Sequence, residues 1–250
     1  MSVAPAQVPP LPAPAWQPDT VVLHAGYDGL QHQRSAAVPI YQTTSFLFED
    51  AQHGAELFDL VQEGHIYART GNPTQTVLEQ RIAQLEGGTA ALAVASGMAA
   101  IDITLATLAQ AGDHVILASA LYGGSHNLIV HVLQGRGIAS TVVARGDHDA
   151  LRAAFTPQTK AVFLESVGNP SGDVADIATI AALAHAQGVA VVVDNTSATP
   201  LLIRPLEHGA DVVVHSATKY IGGHGVAIGG LIVDGGRFDW QAQSARYPQL

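Results

Sequence analysis

Seven short runs dominated by Val, Ile, Leu and Ala constrain the fold of this chain more than any other feature. They lie at 90–95 (AALAVA), 114–118 (HVILA), 139–144 (ASTVVA), 160–165 (KAVFLE), 189–194 (VAVVVD), 211–215 (DVVVH) and 228–234 (IGGLIVD). Each is too short for a helix of its own, and most are too continuously apolar for a strand with one wet face. Most are separated by helix-length segments such as "DIATIAALAHAQG", which opens on an acid and ends on glycine. Strands buried on both faces that alternate with helices predict an α/β fold, with a mostly parallel seven-stranded sheet covered by helices on both faces.

The regular pattern begins at Asn72, which can cap a helix with Pro73 at its first position. Leu78, Ile82 and Leu85 share one face of that helix, and Gly87-Gly88 stop it. Ahead of it, 1–18 ("MSVAPAQVPPLPAPAWQP") gathers nearly half of the 13 prolines and reads as a flexible tail. Residues 19–71 show no sustained period and are expected to form an arm of loops, leaving 72–250 as the main domain.

Composition narrows the function classes. At 48% hydrophobic and 13% charged, the chain can close a core, and a formal charge of -10 lacks the basic surface that nucleic acid or an anionic membrane needs. Without cysteine there is no disulfide, thiolate metal site or thiol nucleophile, which suits a reducing compartment, and the cytoplasm is the expectation. No run is long and apolar enough to read as a membrane span.

In an open α/β sheet, ligands bind beyond the carboxyl ends of the strands. After 90–95 comes "SGMAAI", a turn into a helix whose first N–H groups, around Gly97 and Met98, favour a phosphate. After 114–118 comes Tyr122, placed to stack on a flat ligand, and after 160–165 comes Asn169, whose amide can reach a hydroxyl. Run 189–194 ends on Asp194, where a carboxylate needs a partner. Run 211–215 leads into "SATKYIGGHG", with hydroxyls at Ser216 and Thr218 and an amine at Lys219. Taken singly, "SGMAAI" is an ordinary turn, Tyr122 a packing residue and Asn169 a turn former, while Asp194 is either neutralised by a nearby Arg, Lys or backbone cap or faces a cationic group on a ligand. Taken together, they fit pyridoxal 5'-phosphate. Lys219 captures its aldehyde, Asp194 holds the ring nitrogen protonated, and Tyr122 stacks on the ring, while Ser216, Thr218 and the Gly97–Met98 N–H groups hold the phosphate.

Rival sites fail on spacing. "SGMAAI" lacks the G-x-G-x-x-G order of a dinucleotide site, and "SATKYIGG" puts its glycines on the wrong side of the lysine for a P-loop. His208, His215 and His224 lack metal-ligand spacing and read as hydrogen-bonding or surface residues.

"VVVDNTSATPLLIRPLEHGADVVVHSATKYIGGHG" resembles the lysine signature of the Cys/Met-metabolism family of pyridoxal phosphate enzymes, and "YARTGNPTQTVLEQRIAQLEGG", "ASGMAAI", "LYGGS" and "ESVGNP" resemble its other blocks in the same order. The resemblance implies the large domain of the fold-type I transferase architecture. It also implies that Tyr67 and Arg69 reach the cofactor phosphate of a neighbouring subunit, in a homodimer or homotetramer whose arm is 19–71. Within the family, "HAGYDGLQHQRSAAVPIYQTTSFLFED" and "GGLIVDGGRFDW" are most similar to the O-acetylhomoserine sulfhydrylases. The implied reaction is γ-replacement of an acylated homoserine by sulfide or a thiol, with Lys219 moving protons and Tyr122 assisting. Cystathionine γ-synthase or γ-lyase activity stays open, as does a catalytically silent remnant. Family chains continue into a smaller C-terminal domain that binds the substrate carboxylate, and the stop at "RYPQL" implies that this domain is absent here.

Overall fold

The computed structural model describes residues 16–118 and 121–250. Most of the tail expected at 1–18 therefore lies outside the described residues. All seven apolar runs form strands: β1 (Ala90–Val94), β2 (His114–Ala118), β3 (Ala139–Val143), β4 (Thr159–Glu165), β5 (Ala190–Asp194), β6 (Val212–His215) and β7 (Gly230–Asp234). They make one sheet in the order β1-β7-β6-β5-β4-β2-β3. The strands from β6 through β5, β4 and β2 to β3 are parallel, whereas β7 runs antiparallel to both β6 and β1. A parallel return needs a crossover long enough to carry the chain back along the sheet. The segment between β6 and β7 forms no helix, so β7 comes back beside β6 in the opposite direction.

Alternation along each strand divides the core in two. Ile116 of β2, Val162 and Leu164 of β4, and Val191 and Val193 of β5 face one layer. That layer is built from helices α3 (Pro73–Glu86), α6 (His148–Ala154) and α7 (Ile177–His185). Val115 and Leu117, Ala161 and Phe163, and Ala190 and Val192 face the other layer. This second layer holds α4 (Gly97–Leu108) and the helical stretch that begins with α5 (Gly123–Asn127) and continues through Leu133. Burying both faces explains why the strands read as unbroken apolar runs.

Asn72 caps α3, its side chain accepting from Thr74 N at 2.9 Å, and Gly87 ends the helix in the left-handed region. Ile82 and Leu85 are buried, but Leu78 on the same face stays 38% exposed. The segment expected to be irregular contains two short helices, α1 (Pro18–His24) and α2 (Ala51–Phe58). Val21 and Ala25 join the core beside Ile82, and Arg81 Nε donates to the Ala25 carbonyl at 2.9 Å, so α1 packs with the main domain.

The end of the chain docks against the amino ends of β4 and β5. Tyr247 is fully buried; its hydroxyl donates to the Lys160 carbonyl at 2.6 Å and accepts from Ala190 N at 2.9 Å. Phe238 and Trp240 pack against the Tyr247 ring, with ring centroids 5.8 and 5.2 Å away. Among the described residues no helix is long and apolar enough to cross a membrane.

Candidate active site

The same alternation that fills the core aims the chemistry. Glu165 and Asp194 end β4 and β5 in register with one another, and two-residue steps put them on the side of Phe163 and Val192, the α4 side. Helix α4 starts at this level: Ser96 caps it, its Oγ accepting from Ala99 N at 3.1 Å, and Gly97 and Met98 form its first turn. The Lys219 loop closes the third side. Thr218 Oγ1 donates to the Gly229 carbonyl at 3.2 Å and accepts from Gly229 N at 3.1 Å, fastening the loop to the approach of β7. Gly97 permits this closeness, because a Cβ there would lie 2.6 Å from Ser216 Cβ.

The result is a cavity of about 850 Å³ at the carboxyl ends of the strands. Eight of the residues anticipated from the sequence line it: Gly97, Met98, Tyr122, Asn169, Asp194, Ser216, Thr218 and Lys219. Tyr67 and Arg69 do not. They sit together outside it, the Arg69 guanidinium 5.4 Å from the centre of the Tyr67 ring, which is 42% exposed.

Three further side chains of the cavity wall, outside the set read from the sequence, bear on its chemistry. Glu165 is one, though an acid ending an apolar run carries the same signal as Asp194. Thr196 is another: its N–H donates to Asp194 Oδ1 at 2.9 Å, and its Oγ1 accepts from Ser216 N at 2.7 Å, so it links the acid to the lysine loop. An acid followed two residues later by a free N–H is a common turn signature that could have found it. The third is Ser125, fully buried, whose Oγ has no partner among the described residues.

Burial raises the Asp194 carboxyl above the usual carboxylate range, opposed by its hydrogen bonds to Thr196 and by the charge of His215. Among the described residues no cationic side chain forms an ion pair with Asp194. Its partner is the backbone cap, which leaves the carboxylate open to a cation in the cavity. Burial also raises Glu165, to about 7, with the Tyr122 and Asn169 N–H groups opposing and Asp194 adding to the rise.

This donor set fits pyridoxal phosphate. Among the described residues the Gly97 and Met98 N–H groups make no hydrogen bond within the chain, and they point from the positive end of α4. The Ser216 hydroxyl lies against Gly97, Asp194 offers a carboxylate, and Lys219 brings the cavity its only amine side chain among the described residues.

The chain is similar to known proteins. The chain is 50% identical over 233 residues to homocysteine synthase of Schizosaccharomyces pombe, covering 93% of this chain and 54% of that one. It is 48% identical over 214 residues to L-methionine gamma-lyase of Pseudomonas putida, covering 86% of this chain and 54% of the other. A solved chain of Campylobacter jejuni assigned as O-acetylhomoserine (thiol)-lyase superimposes with a TM-score of 0.86 at 42% identity. That match covers 89% of this chain and 55% of the other, whose structure contains N'-pyridoxyl-lysine-5'-monophosphate. The chain thus spans about half the length of the relatives it matches. The Cys/Met metabolism PLP-dependent enzyme profile matches residues 19–249. A match of that extent, over a fold and cavity of this kind, makes the chain a member of the Cys/Met-metabolism family of pyridoxal phosphate-dependent enzymes.

Proposed function

We propose that the chain carries the cofactor-binding part of an enzyme that replaces the γ-acetoxy group of O-acetylhomoserine with sulfide or a thiol, giving homocysteine or methionine. The carrying observation is that Lys219, Asp194 and the start of α4 meet in one cavity. The likeness to homocysteine synthase and to the O-acetylhomoserine (thiol)-lyase chain supports the choice of substrate.

Pyridoxal phosphate, when bound, supplies an aldehyde that captures amines and a ring that draws electrons from the substrate's Cα and Cβ. The residues of the chain do the rest. The Gly97 and Met98 N–H groups and the Ser216 hydroxyl bind the phosphate, and Thr218 keeps the loop that carries Ser216 in place. Asp194 would hold the proton on the ring nitrogen, Tyr122 would cover the ring, and the Asn169 amide would orient the ring hydroxyl. Lys219 Nζ would hold the cofactor through its aldehyde carbon, and the same amine, when free, would take the substrate's Cα proton and move protons at Cβ. Acetate then leaves Cγ with its bonding pair, and the sulfur nucleophile forms the new Cγ–S bond as its own proton is released. Tyr122 assists these proton transfers.

Tyr67 and Arg69, standing outside their own cavity, serve the phosphate of a second subunit in a homodimer or homotetramer, and residues 19–71 act as the intersubunit arm. A chain without cysteine needs no oxidising compartment, and we assign it to the cytoplasm. γ-Elimination is the second reading, favoured by 48% identity to methionine gamma-lyase. Those lyases usually carry a cysteine close to the "LYG" motif, which here is Leu121-Tyr122-Gly123, and the segment Gly123-Gly124-Ser125 lacks it, which weighs for replacement.

Spectroscopy tests the reading. The chain mixed with pyridoxal phosphate should develop the visible absorption band of a lysine-bound cofactor, and Lys219→Ala should abolish it. No band in the parent overturns the cofactor reading, and an unchanged band in the variant overturns the lysine. O-acetylhomoserine, O-succinylhomoserine, cystathionine and methionine, each with and without sulfide, then separate replacement from elimination.

A further inference from the structure

Glu165 stands apart from the roles given above. It is 4% exposed, yet it lines the cavity. Its two carboxylate oxygens accept from backbone N–H groups of two different loops: Oε1 from Tyr122 N at 2.6 Å and Oε2 from Asn169 N at 2.9 Å. The first loop follows β2 and the second follows β4. Among the described residues neither N–H makes another hydrogen bond. We propose that Glu165 is a positioning residue, a carboxylate clasp that ties the Tyr122 rim to the Asn169 loop and so sets the width of the cavity between them. Its service to the cofactor rests on the reading of the preceding section, whereas the clasp itself does not.

The chemistry of the clasp is specific to an ionised carboxylate. Both partners are donors, so both oxygens must accept, which a carboxylate does and neither a carboxamide nor a carboxylic acid does equally well. Protonation places an O–H opposite one N–H and releases one loop. The groups able to set that protonation are few. Across the ladder on β5 lies Asp194, which pushes the Glu165 carboxyl upward. Tyr122, Lys219 and Tyr220 are the other titratable residues on the cavity wall. The one ionisable residue on α4, Asp102, is paired at the surface with Arg136. Burial is the largest influence and raises Glu165 to about 7, which brings the protonation that would loosen the clasp into the range around neutrality. A cation in the cavity closes the clasp.

The test follows the two amides. In the cofactor-free parent chain, the ¹H–¹⁵N resonances of Tyr122 and Asn169 should titrate together, with one midpoint, between about pH 5.5 and about pH 9. In Glu165→Gln both should be flat over the same range. Amides that stay still in the parent, that titrate with separate midpoints, or that titrate unchanged in the variant overturn the clasp. The parent titration needs no variant, so a poorly folding substitution cannot mask the answer. Pyridoxal phosphate should bind Glu165→Gln roughly tenfold more weakly than the parent, and equal affinity overturns the link to the cofactor. A parent chain that shows the paired titration but no visible band keeps the clasp and overturns the cofactor reading alone.

Discussion

His215 Nε2 donates to Glu86 Oε1 across 2.6 Å, and neither side chain reaches solvent, although 129 residues separate them. The same oxygen accepts from Asn195 Nδ2 at 2.9 Å, and Asn195 Oδ1 accepts from Ser166 Oγ at 2.7 Å. Ser166, Asn195 and His215 lie one residue beyond, or across from, the positions that face the cavity, so alternation turns them to the α3 side. They form a polar belt behind the site, and Glu86, the last residue of α3, is its buckle. Removing one member of this buried hydrogen-bonded pair leaves the other without its partner. Glu86→Ala and His215→Ala should each cost about 1–3 kcal/mol, and the double variant less than their sum. Urea unfolding of the four chains measures this, and additive losses would contradict the pairing.

Gly124 lies beneath the Tyr122 ring: a Cβ there would stand 2.5 Å from Tyr122 Cε1 and 3.3 Å from Met98 Sδ. The ring can swing away from it. Gly124→Ala should therefore leave the fold intact, gaining up to about 1 kcal/mol from helix propensity within α5. The displaced ring should nonetheless weaken cofactor binding by about tenfold. A thermal melt beside a titration of the visible band separates the two effects, and unaltered binding would show that the Tyr122 ring does not cover the cofactor.

Asp194 holds its carboxyl raised, so above its ordinary range the folded chain binds more protons than the unfolded one. That acid's contribution to stability is fully present below the unfolded value and falls as pH rises. Asp194→Asn removes this dependence. At neutral pH the cofactor-free variant should be at least as stable as the parent while its bound-cofactor spectrum changes, the usual exchange of stability for function at an active site. Denaturant titrations at several pH values check the first half, and a destabilised variant would refute it.

At the opposite end of the sheet, burial pushes the Tyr247 hydroxyl up to about 12. Its contribution to stability is full below the ordinary tyrosine value and is lost as pH rises toward the folded one, so the window is alkaline. Tyr247→Phe deprives the Lys160 carbonyl and Ala190 N–H of their partner and should cost roughly 1–3 kcal/mol at neutral pH. It should also flatten the loss of stability between about pH 10 and about pH 12. An unchanged alkaline slope would assign that loss to other groups.

Local pattern made the sheet legible, because strands buried on both faces must be apolar at every step. It made the candidate site legible through the polar residues that end or follow those strands, and Asp194, Asn169 and Lys219 all line the cavity. What stayed hidden depends on pairs distant in the chain. Glu86 reads as an exposed acid in a final helical turn until His215 and Asn195 arrive. Nothing in the residues of 228–234 states the direction of β7, which depends on the absence of a crossover helix before it. Tyr247 looks like one of several polar residues in a closing segment, yet it is fully buried between two strands. The helices α1 and α2 are too short for periodicity to reveal, and α1 is held by Arg81 and the core rather than by its own propensity.

The chain has two tryptophans, and one of them, Trp240, stands 4.5 Å from Phe238 and 5.2 Å from Tyr247 in ring-centre distance. Indole emission responds to the loss of such packing, so with Trp16 replaced by Phe the fluorescence of Trp240 reports the amino edge of the sheet alone. Bound pyridoxal phosphate would report the carboxyl edge by its absorbance. The molecule would then carry an optical probe at each end of its strands, and a single melt read at both wavelengths would show whether the two edges come apart together.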